Sequence, residues 1–160
     1  MKKKLFLFMS FILLLCQFSV VNAKGELGDN DAFKTYIGKT RSEVRRISPI
    51  FDELADDQYL VDCIIEDDEL LGISVMFDDY NLVQAVSILV SKGALKKMGI
   101  DTDLETATFI GAINLGFESK DVLNIKISDD GEYVLSIKGG ITVIGIEMSD
   151  NLYAIMGMQR

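Results

Sequence analysis

The stretch that decides the fold runs from residue 59 to residue 90 and reads YLVDCIIEDDELLGISVMFDDYNLVQAVSILV. Three apolar runs, Tyr59–Ile65, Leu70–Phe77 and Leu82–Val90, are separated by two acidic turns, Glu66-Asp67-Asp68-Glu69 and Asp78-Asp79-Tyr80-Asn81. Inside the runs the side chains alternate, as in Ile73, Val75 and Phe77, or Val83, Ala85 and Ser87 against Leu82, Gln84 and Val86. Alternation with period two puts successive side chains on opposite faces and marks a strand. Short polar turns between such runs spell an antiparallel meander.

Working outward toward the N-terminus, Thr40-Arg41-Ser42-Glu43 is a capping box, with the acid three residues after the threonine. It starts a helix to about Ile47 that turns Val44 and Ile47 inward and leaves Arg41, Arg45 and Arg46 in solvent. Pro49, the only proline, closes it. Ala32–Ile37 is a shorter amphipathic piece that ends at Gly38. Toward the C-terminus, Ala94–Met98 makes one helical turn stopped by Gly99. Thr102 or Asp103 then caps a helix to about Leu115, with Gly116 as its C-cap. Four further strands follow at Val122–Ile127, Tyr133–Ile137, Ile141–Met148 and Leu152–Met156, with Gly139-Gly140 a tight turn. Ile141–Ile146 is apolar on both faces and reads as a central strand. The fold class is α+β: an antiparallel sheet of about six to seven strands with two main helices on one face. Residues 32–91 and 92–160 repeat the same order, which hints at two α-βββ halves within one domain, 24–160.

Residues 1–23 read as a signal peptide. Lys2, Lys3 and Lys4 precede an apolar run from Leu5 to Leu15, and Val21-Asn22-Ala23 puts small residues at −3 and −1 of a cleavage site. The 17 residues from Leu5 to Val21 are at the short limit for a membrane anchor. Leu13-Leu14-Leu15-Cys16 has the outline of a lipobox, but Leu15 stands where a small residue belongs. The expected location is therefore periplasmic or secreted, without stable membrane insertion after cleavage.

The whole chain carries 16 basic and 25 acidic residues, a net charge of −9. Without residues 1–23, 13 basic residues remain against the same 25 acids, a net −12. Such a chain repels nucleic acid and anionic membranes and attracts basic proteins. Histidine is absent, which removes Ser-His and Cys-His catalysis and His-based zinc sites. Beyond Cys16, Cys63 stands alone in an apolar strand pattern and reads as a buried, inert thiol. Asp29-Asn30-Asp31 and Asp101-Thr102-Asp103-Leu104-Glu105 alternate oxygen ligands but lack the glycine and glutamate of an EF-hand loop. No metal and no cofactor are expected.

The segment Tyr36-Ile37-Gly38-Lys39-Thr40-Arg41-Ser42-Glu43-Val44, followed by three strands with Phe77-Asp78-Asp79 leading into Leu82-Val83, resembles a half-repeat of small exported helix-plus-meander domains. The outer-membrane assembly lipoproteins of the SmpA/OmlA type and the β-lactamase inhibitor protein are of this kind. The resemblance spans about 55 residues and implies a protein-binding scaffold. The sequence departs from these families in its lipobox and in keeping one cysteine, Cys63, after residues 1–23, where the inhibitors use disulfides.

Acidic pairs recur every 11 residues, at Asp56-Asp57, Asp67-Asp68 and Asp78-Asp79, with Asp129-Asp130 in the second half. Eleven residues is about one strand plus one turn, so the pairs at 56 and 78 share one end of the meander and the pair at 67 takes the other. Aspartate is a common turn residue in its own right. Beside these turns stand Phe51, Tyr59 and Tyr80, and aromatic anchors in a charged rim are a common interface composition. The candidate partner-binding residues are Asp56, Asp57, Tyr59, Asp78, Asp79 and Tyr80. Met148, Met156 and Met158, with Tyr153, read as core, or as an adaptable patch if the last strand is an edge. The reading is an exported, non-catalytic protein-binding protein, an inhibitor or immunity protein against a basic cell-wall hydrolase or secreted toxin. An envelope-assembly accessory and a small carboxylate-dependent glycan hydrolase are the alternatives.

Overall fold

The computed structural model describes residues 31–159; the signal segment, Met1–Ala23, lies outside the described residues. Helix α1 (Ala32–Tyr36) leads into α2 (Arg41–Ile47), which the expected capping box starts: Thr40 Oγ1 accepts from the Glu43 N–H, and Glu43 Oε2 accepts from the Thr40 N–H at 2.8 Å. Four strands follow, β1 (Asp52–Ala55), β2 (Gln58–Glu66), β3 (Glu69–Phe77) and β4 (Val83–Ser91). Helices α3 (Lys92–Lys97) and α4 (Leu104–Leu115) precede β5 (Val122–Ile127), β6 (Tyr133–Ile137), β7 (Ile141–Ser149) and β8 (Leu152–Gln159). Gly116 closes α4 in the left-handed region at φ 102°, where a side chain would be strained.

All eight strands join one antiparallel sheet in the order β1-β2-β3-β4-β8-β7-β6-β5. This is one strand more than the six to seven expected. The addition is β1, four residues exposed throughout, whose sequence Asp-Glu-Leu-Ala carries no burial alternation to read. The order is a palindrome: each half supplies two helices and a four-strand meander, and the last strand of one half pairs with the last strand of the other. The last strand is therefore central, not an edge, which moves Met156 and Met158 to the middle of the sheet.

Strand register fixes which side chains share a face. Ile88 of β4 pairs with Ile155 of β8, Ile73 of β3 with Ile88, and Gly145 of β7 with Ile155. These residues face the helices. A methyl on Gly111 of α4 would stand 2.4 Å from Ile155 Cβ, and one on Gly145 would stand 1.8 Å from Thr108 Oγ1. The glycines let α4 lie almost on the strand backbone. Thr108 Oγ1 is held back by donating to the Leu104 carbonyl at 2.6 Å. Phe33 of α1 packs against Gly157, and α3 sets Gly93 against the Glu69 side chain, on the same face. All four helices thus cover one side of the sheet. The core between the layers includes Val61, Val75, Val86, Ile88, Val90, Leu115, Leu135, Val143 and Ile155. Of α2, only Val44 is buried; Ile47, expected inward, is 43% exposed, because in a helix of two turns only the middle residue reaches the sheet. Among the described residues no helix is long and apolar enough to cross a membrane.

Close approach of α4 makes a sharp prediction. Gly145→Ala must displace Thr108 from the sheet, and overpacking of this kind costs about 1–3 kcal/mol. Urea unfolding followed by circular dichroism should show the midpoint fall by that amount, whereas Gly139→Ala, with open space around its Cβ, should cost only its positive-φ strain.

Candidate partner-binding surface

The β1–β2 and β3–β4 turns lie side by side, as their spacing implies: the Phe77 N–H donates to the Asp57 carbonyl at 2.9 Å. Asp57 and Asn81 take left-handed backbone, φ 58° and 59°. Asp67 and Asp68, both left-handed, close the β2–β3 hairpin at the opposite end of the sheet. Two consecutive residues with positive φ suit the right-handed twist of a hairpin.

The six candidate residues divide by what they already do. Asp78 is the turn's internal brace: its Oδ1 accepts from the Tyr80 and Leu82 N–H groups, each at 2.9 Å. Asp57 Oδ1 accepts from Arg41 Nη2 at 2.7 Å, and the Tyr59 hydroxyl accepts from Arg41 Nη1. Asp56, Asp79 and Tyr80 stay in solvent, Tyr80 being 84% exposed. The structure thus brings the two acidic turns together but places a cation between them.

That cation, Arg41, is not the free solvent group its helix position suggests. Its guanidinium carbon stands 4.8 Å from the Tyr59 ring centroid and 4.7 Å from that of Phe77. Tyr59 stacks on Phe51 at 4.5 Å and meets Phe77 edge-on at 5.8 Å, and Arg45 covers Phe51 at 4.9 Å. The result is a clamp of two arginines on three aromatic rings, and it ties α2 to strands β2 and β3. Tyr59 therefore serves this clamp and is not a free anchor. Arg41→Ala should lower stability by about 1–2 kcal/mol, the sum of a cation–π contact and a largely exposed ion pair. Arg41→Lys should recover less than half of that, because an ammonium lacks the planar fork that reaches Tyr59 and Asp57 together. Urea midpoints of the two variants check it.

Beneath α2, on the helix face, Asp62 sits at the β2 bulge and is almost wholly buried. Burial holds its carboxyl above the usual aspartate range, against the pull of a hydrogen bond from the Cys63 backbone. Burial also raises the Tyr36 phenol, partly offset by the nearby Ser48 hydroxyl and reinforced by the Asp62 charge. A carboxyl raised by folding stabilises the protein below its unfolded pKa and loses that contribution as pH climbs through the folded value. Asp62→Asn should therefore raise the thermal midpoint at pH 7, and the gain should vanish as the pH falls below about 4.

Cys63 points to the other face and is partly exposed, not fully buried as its apolar surroundings suggest, because no helix covers that side. Burial raises its thiol, and the charges of Asp62 and Asp52 add to the shift, so the sulfur stays protonated at neutral pH. Asp103, one of the alternating oxygens near residue 101, is taken up as an N-cap: its two carboxylate oxygens accept from the Thr106 N–H at 2.8 Å and hydroxyl at 2.9 Å. Among the described residues, no three acidic or sulfur side chains converge as a metal site.

The face opposite the helices was not singled out by the sequence. Its register gives one row across six strands, Leu60, Ser74, Ser87, Met156, Ile144 and Val134. The adjacent row is Gln58, Met76, Ala85, Met158, Thr142 and Ser136. Within these six strands neither row contains an ionisable group; on the two outermost strands the first row ends in Asp52 and Lys126. Small residues, Ser74, Ser87 and Ala85, follow β3 and β4 and are almost fully buried, with the longer Met76, Met156 and Met158 beside them. Gln58 Nε2 reaches across to Ser74 Oγ at 3.3 Å. At strand spacing, six strands span about 24 Å. Acidic turns bound this field at both ends: Asp56, Asp57, Asp78 and Asp79 at one, and Asp67, Asp68, Asp129, Asp130 and Asp150 at the other. The signal for it lay in the alternate positions of the strands, once the order of the strands is known.

Comparison of the chain with protein-family models, with curated proteins and with solved structures finds no match to any of them.

Proposed function

We propose that the protein is an exported, non-catalytic binding protein, an inhibitor or immunity protein that captures a basic cell-wall hydrolase or a secreted toxin. The observation that carries this reading is the open sheet face: uncharged, methionine-bearing, and bounded by acidic turns in a chain of net charge −9. Interfaces commonly have an apolar centre within a polar rim. A field about 24 Å wide, with its rim, is of the order of the ~800 Å² that each partner of a standard complex buries. Methionine suits such a centre because its unbranched thioether adapts to the shape it meets. The acidic ends would speed the encounter with a cationic partner, more strongly at low salt. Of the six candidate residues, Asp56, Asp79 and Tyr80 are the ones free to meet a partner. Asp57, Tyr59 and Asp78 are already engaged at that end, Asp57 at the surface with Arg41.

The test is capture. The purified protein is immobilised, exposed to the source organism's envelope and secreted proteins, and eluted with rising salt. The reading expects a cationic hydrolase or toxin in the late fractions, and inhibition when its activity is assayed with added protein. Met156→Lys should weaken binding at least tenfold while leaving the unfolding midpoint within about 1 kcal/mol. Asp79→Lys should slow association and flatten its salt dependence. Recovery of the cell's own outer-membrane assembly components would favour the envelope-assembly alternative. Binding that is indifferent to both substitutions would remove the open face and its rim from the account.

A further inference from the structure

The two edges of the sheet are built differently. The β1 edge is four residues long, carries Asp52 and Glu53, contains a bulge and leads into Asp56-Asp57. Shortness, charge and irregularity are the usual protections against edge-to-edge pairing. At the other edge, β5 is longer, six residues, and has no acid; its one charge is Lys126, and its irregularity is confined to its start, between Val122 and Asn124. Leu123, Ile125 and Ile127 are 65%, 45% and 67% exposed. Helix α4 lies over β4, β7 and β8 and only touches β6, so the outermost strand extends beyond the helical layer.

We propose that β5 is the interface of a homodimer in which two copies pair β5 with β5, antiparallel across a twofold axis, to make one continuous sheet of sixteen strands. The sequence of β5, Val122-Leu123-Asn124-Ile125-Lys126-Ile127, selects the register. Centred on Ile125, the pairing sets Ile125 against its own copy, Leu123 against Ile127 and Asn124 against Lys126, so apolar meets apolar and polar meets polar. Centring on Lys126 opposes two like charges. Centring on Asn124 sets Ile127 against Asp121. A shift of half a step pairs Ile125 or Leu123 with Lys126. Just beyond the strand, the Ile125-centred pairing sets Lys120 against Asp130 of the other copy and Asp121 against Asp129, a like-charge pair that Lys138, 3.8 Å from Asp121, partly offsets. In the single chain the Ile125 N–H is held by Asn124 Oδ1 at 2.9 Å; a neighbouring strand would take over that donor. The two copies repel each other through their net charge, so association tightens as salt screens the repulsion.

Sedimentation equilibrium of the purified protein tests this directly. The expected result is twice the chain mass at tens of micromolar, with a dissociation constant that falls between 0.05 and 0.5 M salt. Ile125→Asp and, separately, Ile127→Lys change exposed side chains and should give monomers with an unaltered circular dichroism melt. Leu54→Lys, on the β1 edge, should leave the dimer intact. With Cys16→Ser and Cys63→Ser in the background, Ile125→Cys should cross-link on mild oxidation and Leu54→Cys should not. A monomer at every concentration, a dimer indifferent to both β5 substitutions, or a monomer that takes an unrelated peptide strand on β5 would each overturn the proposal.

Discussion

The contact on which the rest depends is the seat of α4 on the central strands. Gly111 rests on Ile155, and Thr108 rests on Gly145, at distances no larger residue permits. Ile155 is in turn the partner of Ile88 across the β4–β8 pairing that joins the two halves. One helix therefore packs at the seam between two four-strand meanders, and Phe33 and Leu115 fill the space over Gly157 beside it. Neither meander buries its helix face alone. The seam makes a single core of them.

That seam also decides where charge can go. Strands β4 and β8 contain no charged side chain in sequences of nine and eight residues. The helix-covered face of the middle of the sheet offers no water to a carboxylate at low cost. The acids gather at the turns, where left-handed aspartates such as Asp57, Asp67 and Asp68 also meet a backbone need. The same distribution leaves the six inner strands of the helix-free face uncharged between two negative ends. A feature of packing thus becomes a surface with the polarity of an interface. The arginine clamp at one end then neutralises part of the acidic rim: Asp57 is exposed but paired with Arg41, and Asp56, Asp79 and Tyr80 stand in solvent without it.

Much of the fold was legible in the sequence, for reasons that are local. The capping box at Thr40, the helix ending at Gly116 and the seven long strands each carry their own period or punctuation. Strand β1 was not legible, because a short exposed edge has no alternation to show. The sheet order was not legible either: β8 ends the chain, and nothing in Leu152–Gln159 says that it lies beside β4. That one unknown explains the larger omission. Without the order, Ser74, Ser87, Met156 and Ile144 are scattered polar and apolar residues; with it, they are one row. Arg41 misled for a related reason. A charged residue in the first turn of a helix reads as solvated, and only the tertiary approach of Tyr59 and Phe77 shows what its guanidinium covers.

The most direct measurement is oxidative footprinting of the methionines, with and without the partner recovered by capture. Met76, Met156 and Met158 are partly exposed on the open face, whereas Met98 packs against the core on the helix side. The account predicts that binding protects the first three and leaves Met98 unchanged. Protection confined to Met98, or a partner bound with all three open-face methionines still fully reactive, would contradict it.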